Sequence, residues 1–344
     1  MNLTDKTMKN ICLAISGGVD STYTGSLLLS KGFNVQGVFL KLFDSSDPKD
    51  AVLACEELGI KLDILDLRDE FKIKVQDYFA KEYLSGKTPN PCIVCNKEIK
   101  FGMLLDYALN NHFDCLATGH YVKKVKMGDR FTFQKTNHRQ DQSYFLSRLS
   151  QNQIRNAYFP LGDMEKSTVR KLADERHLKE AKKKDSLEIC FIEENYQTYF
   201  KDNNISSPRG KFVDINGKIL GEHRGIINYT VGQRKGLGIS YKEPLFVGQI
   251  KPETDEIVLV TEKDLYTEKL YAKDINFLGI DKITDGLLCM MYNRSQSKGE
   301  KVKVALKDDI IEAEYLEQTR ISSKGQTVVF CDFDGNLLFS GIII

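Results

Sequence analysis

The segment Ile11-Cys12-Leu13-Ala14-Ile15-Ser16-Gly17-Gly18-Val19-Asp20-Ser21 constrains this chain more than any other. Its apolar opening predicts a buried strand, and two glycines then break the run before a helical pattern from Asp20 to Lys31, closed by Gly32. A strand that hands over to a helix through a glycine turn is how an open α/β sheet begins. At such a turn glycines let backbone N–H groups come close to phosphate oxygens, and the helix start attracts anions. Ser16 and Ser21 add hydroxyl donors. No Gly-Lys-Ser/Thr follows at the Walker spacing, so this is a phosphate loop of another kind. The plain alternative is a serine-capped glycine turn with no ligand; placement directly after the first strand argues against it.

The same rhythm continues. Strands are expected at Val35 to Leu40, Leu62 to Leu67 and Cys115 to Ala117, and helices at Pro48 to Leu58 (closed by Gly59), Glu70 to Leu84 and Lys97 to Asn111. Alternation of this kind implies a parallel sheet with helices on both faces. After about residue 205 helical patterning stops, and turn pairs such as Asn216-Gly217 and Asp334-Gly335 separate short alternating runs. The expected division is an α/β nucleotide domain at 1–205, a small β-rich middle module at 206–275 and a final antiparallel β-barrel at 276–344.

A chain of 344 residues can bury two or three cores. No run approaches the roughly 20 apolar residues of a spanning helix, and Met1 to Asn10 lack a secretory signal pattern, so a cytoplasmic protein without a membrane partner is expected. Lys plus Arg number 49 and Asp plus Glu 48, so overall charge gives no argument for a polyanionic partner. Basic tracts at Lys182 to Lys184 and Arg234-Lys235 would have to act locally. Eight cysteines in a chain of this size do not form a disulfide framework. Cys12, Cys55, Cys115, Cys289 and Cys331 fall in apolar patterns and read as core. Cys92, Cys95 and Cys190 do not. Cys92-x-x-Cys95 resembles half a zinc site, but no second pair stands at a matching spacing.

The Ser16–Ser21 loop is similar to the SGGxDS loop of the ATP pyrophosphatases, which split ATP between the α and β phosphates and place AMP on a substrate oxygen. Further segments narrow the resemblance: Thr88-Pro89-Asn90-Pro91-Cys92-Ile93-Val94-Cys95-Asn96-Lys97, Ala117-Thr118-Gly119-His120-Tyr121, Asp141-Gln142-Ser143-Tyr144-Phe145-Leu146, Ile189-Cys190-Phe191-Ile192, Thr230 to Leu237 and Gly325-Gln326. In this order they resemble the tRNA-specific 2-thiouridylase family, over nearly the whole chain. The resemblance implies ATP contacts at Ala14, Ile15, Ser16, Gly17, Gly18, Val19, Asp20, Ser21, Leu40 and Gly119. It implies tRNA contacts at Asn90, Pro91, Cys92, His120, Gln140, Asp141, Gln142, Tyr292, Asn293 and Gln326. Three departures stand out: Cys92 replaces a frequent aspartate, Leu40 a methionine, and Tyr292-Asn293-Arg294 an Arg-Tyr-Arg run.

The implied reaction is 2-thiolation of the wobble uridine, with ATP and magnesium as substrate and no tightly bound cofactor. Adenylation makes the base oxygen a leaving group, Cys190 carries a persulfide and Cys95 is the partner nucleophile. Both thiols then need an electropositive, partly open setting, with Lys97, Lys182 to Lys184 and a helix start near Asn96 as sources. The implied partners are tRNA and a persulfide-donating sulfur carrier or cysteine desulfurase. Two other enzyme readings stay open: an iron-sulfur cluster on Cys92, Cys95 and Cys190, and an amide-forming ATP pyrophosphatase. A catalytically silent RNA-binding protein is the reading from a different class.

Overall fold

The computed structural model describes residues 9–136, 138–179 and 189–344. Five parallel strands form the first sheet, in the order Leu62–Asp66, Asn34–Lys41, Asn10–Ala14, Cys115–Ala117, Ala157–Tyr158. The strand Asn10–Ala14 lies at the centre because its interior is apolar on both faces: Ile11, Cys12 and Leu13 are fully buried. On one side it pairs with Asn34–Lys41 (Ile11 opposite Val35), on the other with Cys115–Ala117 (Ile11 opposite Cys115). The chain thus leaves this strand toward one edge of the sheet and later returns to its other side. That reversal opens a crevice beyond the strands' carboxyl ends, the usual ligand position in such sheets.

The helix Val19–Ser30 follows the glycine loop, and Lys49–Leu58 follows the second strand and ends on Gly59 in the left-handed region. Two longer helical stretches differ from the expected regular helices. Arg68–Phe71, Lys72–Asp77 and Tyr78–Leu84 follow one another, as do Pro91–Val94, Cys95–Leu104 and Leu105–Asn110, and in each the middle part is π-wound. The second stretch begins at Pro91, earlier than the expected Lys97, because Asn90 caps it: its Oδ1 accepts from the N–H groups of Cys92 (3.1 Å) and Ile93 (3.4 Å).

A hairpin, Lys123–Met127 with Arg130–Gln134, leaves the first unit and docks on the last. Arg130 donates to the carbonyls of Leu278 and Phe277 at 2.7 Å each. The apolar core under the sheet accordingly includes Leu278, Val329, Cys331 and Leu337 from the far end of the chain.

Phe246–Lys251, Glu256–Val260, Gly210–Val213 and Ile219–His223 form a four-stranded sheet. Six antiparallel strands then close a barrel: Tyr266–Phe277, Ile310–Arg320, Glu300–Lys307, Leu287–Tyr292, Thr327–Cys331 and Leu337–Ile343. The expected division at residue 275 falls inside the strand Tyr266–Phe277, whose ladder partners are both barrel strands, so the barrel starts at Tyr266. No helix among the described residues is long and apolar enough to cross a membrane.

Candidate active site

The Ser16–Ser21 loop holds its own shape. The Ser16 N–H donates to Ser21 Oγ (3.2 Å), and that hydroxyl donates to the Gly18 carbonyl (3.1 Å). Gly17 adopts a φ of 74°, and a Cβ there would lie 2.3 Å from the backbone of Asp50, so this glycine is needed for conformation and for space. At Gly18 a Cβ would meet only Ser16 Oγ, at 3.6 Å, so the loop's outer side is open. Gly119 comes up from the strand Cys115–Ala117, and its Cβ position lies 3.0 Å from the Asp20 carbonyl carbon. A side chain there would press on the loop.

Asp20 is fully engaged. Tyr121 donates its hydroxyl to Oδ1 at 2.6 Å and Lys166 its ammonium to Oδ2 at 3.0 Å. Beyond the loop lies a cavity of about 280 Å³, lined by Ala14, Ile15, Ser16, Asp20, Ser21, Leu40, Gly119, His120 and Gln142 from the expected set. Val38, Phe39, Leu42, Lys100 and Thr118 complete the lining and were not foreseen. The apolar members come from the end of the second strand and supply a flat-sided wall suited to an aromatic ring; the loop supplies polar donors at the other end. Gly17, Gly18 and Val19 belong to the loop but do not line the cavity.

His120 shares a 2.8 Å hydrogen bond between its Nδ1 and Thr118 Oγ1 and packs against Phe101 and Phe159. Its edge reaches the cavity, yet the ring is enclosed. Burial, and then the nearby Lys100 cation, hold its pKa well below the usual histidine value, so at neutral pH it is an uncharged imidazole. Gln142 Oε1 accepts from the Tyr121 N–H at 2.8 Å, which turns its amide toward the same space.

Cys95 is the first residue of the π-wound turn, and Lys100 lies five residues on. In an α-helix residues five apart diverge around the axis, whereas π winding joins i to i+5. Lys100 acts electrostatically on Cys92, Cys95 and Cys190 alike, and Cys190 also senses Cys95 and Cys92. Cys95 also packs in one apolar cluster with Leu40 and Leu42 of the cavity wall and with Phe191, which brings the segment of Cys190 beside it. Ile189–Ile192 is a turn, closed by the Ile192 N–H donating to the Ile189 carbonyl at 2.9 Å. Phe191 anchors it, with ring centroids 5.7 Å from both Phe71 and Phe79 and 5.1 Å from Tyr199.

The electropositive setting expected for the thiols is only partly present. Cys95 is 6% exposed, and burial raises its pKa despite Lys100. Cys190 is exposed by surface area, which decides whether a reagent can reach it. The protein around its sulfur, followed by Cys95, nevertheless pushes its thiol up to about 12. All eight cysteines are free. Lys97 is not the cation that serves them: it pairs with Glu98 at 3.5 Å, as Lys74 does at 3.8 Å. Lys182 to Lys184 lie outside the described residues. Among the described residues no three His, Cys, Asp or Glu side chains are arranged to hold a metal. Cys92, Cys95 and Cys190 as placed thus do not form the three-thiolate set a cluster needs.

Several expected tRNA contacts have other employment. Asn90 spends its side-chain oxygen on the helix cap, and Pro91, at the first helical position, is buried. Asp141 is 8% exposed; its carboxylate accepts from Thr136 N–H (2.9 Å), Ser143 N–H (3.2 Å) and Ser143 Oγ (2.5 Å), so it pins a loop and does not reach outward. Its neighbour Lys135 stacks over Tyr292 at 4.9 Å, and Asn293 donates to Ser322 Oγ at 2.8 Å. Gln140 and Gln326 are half-buried, and neither lines the first cavity. Asn90 does line a second cavity, of about 540 Å³, with Lys74, Lys97, Arg148, Gly325 and Thr327 between the first unit and the barrel.

A switch-point cavity beneath a serine-glycine loop on a five-stranded parallel sheet defines an α/β protein of the nucleotide-binding kind. Residues 9–194 match the family described as tRNA methyl transferase HUP domain, and residues 198–261 the one described as tRNA methyl transferase PRC-barrel domain. The tRNA-specific 2-thiouridylase MnmA 1 of Fusobacterium nucleatum is 40% identical, over 96% of this chain and 92% of that protein. MnmA of Clostridium kluyveri is 38% identical, over 98% of this chain and 99% of its own. The chain belongs to the tRNA-specific 2-thiouridylase family. Among solved structures, a predicted subunit of tRNA methyltransferase from Methanocaldococcus jannaschii matches with 18% identity and a TM-score of 0.35, over 57% of this chain and 89% of that one.

Proposed function

We propose that the chain is a cytoplasmic enzyme that uses ATP to replace the 2-oxygen of the wobble uridine of tRNA with sulfur. One observation carries the reading: Leu40 and Leu42 line the loop's cavity and pack in one apolar cluster with Cys95 and with Phe191, the residue after Cys190, which supports a phosphate site and distant thiols sharing one neighbourhood. The two matched family descriptions speak of methyl transfer. A loop suited to splitting a nucleoside triphosphate, set beside nucleophilic sulfurs, supports sulfur transfer instead.

In this reading the base oxygen attacks the α-phosphorus of ATP, a phosphorus–oxygen bond forms, and pyrophosphate leaves with its electron pair. The loop's N–H and hydroxyl groups and the Val19–Ser30 helix start oppose the charge that builds there. Magnesium carried on the phosphates needs only one or two protein carboxylates, and Asp20 is the one carboxylate among the described residues lining the cavity. Bound there, it would draw charge from the departing pyrophosphate. The terminal sulfur of a Cys190 persulfide then attacks the activated carbon, and AMP leaves. Cys95, as thiolate, attacks Cys190 Sγ: the bond to the transferred sulfur breaks toward that sulfur, which stays on the base, and a Cys95–Cys190 disulfide forms. A thiol reductant and a persulfide-donating carrier reset the site. His120 and Gln142, which line the cavity, are the residues best placed to meet the extruded base, which must leave its stack to enter it.

The test uses the full chain, unmodified tRNA, ATP, magnesium and a persulfide donor, with mass spectrometry of the nucleosides. Cys190→Ser and Cys95→Ser each abolish 2-thiouridine while tRNA-dependent pyrophosphate release continues, because both act after adenylation. Substantial product from Cys190→Ser removes it from the persulfide role, and a wild-type protein that makes no 2-thiouridine with a working donor overturns the reading.

A further inference from the structure

Lys100 stands apart from every other charged group near the site. Asp20 lines the same cavity but is held by Lys166 and Tyr121, and Glu98, two residues before Lys100, is held by Lys74 and Lys97. No described carboxylate lies within ion-pair distance of Lys100, which is itself half-buried. It is also the one cation among the residues lining the cavity. Keeping an ammonium partly out of water without a counter-ion costs stability, so a site that does so is suited to an anionic ligand.

Two kinds of anion come into its reach in the proposed reaction. The cavity receives phosphate oxygens from the loop side, and behind its apolar wall Cys95 packs in one cluster with Leu40, Leu42 and Phe191, the residue after Cys190. Cys92, Cys95 and Cys190 are the titratable groups that act on one another there, and neutral His120 is the remaining titratable neighbour that feels Lys100. The π turn helps bring the ammonium to this boundary, since Cys95 and Lys100 occupy the i and i+5 positions that such winding sets one turn apart.

We propose that Lys100 is a catalytic cation shared by both halves of the reaction, its ammonium binding the phosphate of the adenylate first and the sulfur anions of Cys95 and Cys190 as AMP departs. This rests on the thiolation reading for its substrate, but its effect on the thiols does not need tRNA or a sulfur donor. With phosphate bound, part of the ammonium's charge is taken up and the thiols stay quiet; once AMP leaves, the charge returns to the sulfurs. Premature thiolate attack is thereby suppressed.

The experiment follows the alkylation rate of Cys95 and of Cys190 separately against pH, by peptide mass spectrometry, in wild type, Lys100→Met and Lys100→Arg. Methionine keeps the stem's packing, an unchanged thermal melting midpoint confirms that the fold survives, and the ATP analogue is added at saturation for each variant. Lys100→Met raises the alkylation midpoint of both thiols by about one pH unit, which is about a tenfold loss of rate near neutrality, and Lys100→Arg largely restores it. A non-hydrolysable ATP analogue slows alkylation in wild type and has little effect in Lys100→Met. Identical midpoints in wild type and Lys100→Met, or an equal analogue effect in both, overturn the proposal. Failure of the thiolation reading shows differently: wild type makes no 2-thiouridine even though the Lys100-dependent alkylation shift is present.

Discussion

The serine-glycine loop lines one end of the cavity and the thiol cluster packs behind its apolar wall, where Cys95 shares a core with Leu40, Leu42 and Phe191, and the two are built in opposite ways. The loop is complete within itself: six consecutive residues, one serine hydroxyl (Ser21) bonded twice to the local backbone and once to Ser16 Oγ, and a left-handed glycine with no room for a side chain. The thiol cluster is assembled from remote parts, Cys95 on a π turn and Cys190 on a turn that aromatic packing holds in place. Its groups are also not charged for work: burial raises the pKa of Cys95, and the protein around the sulfur of exposed Cys190, followed by Cys95, raises that of Cys190. A preformed end that activates and a quiet end that transfers would keep reactive sulfur in check until the base is in place.

The sharpest way to break this contrast is at Asp20. In Asp20→Ala the loop loses its link to Tyr121 and Lys166 and its one cavity carboxylate. We expect tRNA-dependent pyrophosphate release to fall by about 100-fold or more, with alkylation of Cys95 and Cys190 unchanged. Normal pyrophosphate release in that variant would show that Asp20 does not organise the first step. The converse probe is Phe191→Ala, which removes the ring that fastens the Cys190 turn to Phe71 and Phe79. Sulfur transfer should drop by about tenfold while pyrophosphate release stays within about twofold, as a local loss of packing of roughly 1–2 kcal/mol loosens one nucleophile but not the loop. Equal losses in both assays would mean that the two ends are not separable.

The smallest effect sets the site's thiols against those of the core. Burial raises Cys12 and Cys289 to about 12 from the ordinary value of 9.0. As pH rises through 9.0, the unfolded chain loses these protons while the folded chain keeps them, so the unfolded state binds fewer protons and stability falls. The loss starts at about 0.4 kcal/mol per thiol near the unfolded pKa, grows toward the folded values, and is absent at neutral pH. Denaturant melts across this range should move down, and Cys12→Ala with Cys289→Ala should flatten the slope; a slope unchanged by both substitutions would mean other groups carry it.

Much of the nucleotide end was legible in the amino-acid order because short-range geometry makes it. Strand, double glycine, serine and helix start are neighbours in the chain, and their backbone demands are met within a few residues. Ala14, Ile15, Ser16, Asp20 and Ser21 of this stretch line the cavity, as do Leu40 and Gly119, which only the family resemblance had singled out. Sequence pattern had no sign of the π turns, for a π turn and an α turn use the same residues and differ only in how packing adjusts one hydrogen-bond step. For the same reason Lys97 drew attention that Lys100 deserved: an α-helical spacing puts neither beside Cys95 in particular.

Asn90 and Asp141 show a further limit. Both carry side chains that suit a nucleic acid, and both instead satisfy backbone N–H groups nearby. What the sequence determined unaided was the phosphate loop, the parallel α/β start and the antiparallel β end, because each depends on residues close together. Only the tertiary structure decided which cation meets the sulfurs and where Cys190 stands, because those follow from aromatic packing between segments that are near in space and far apart along the chain.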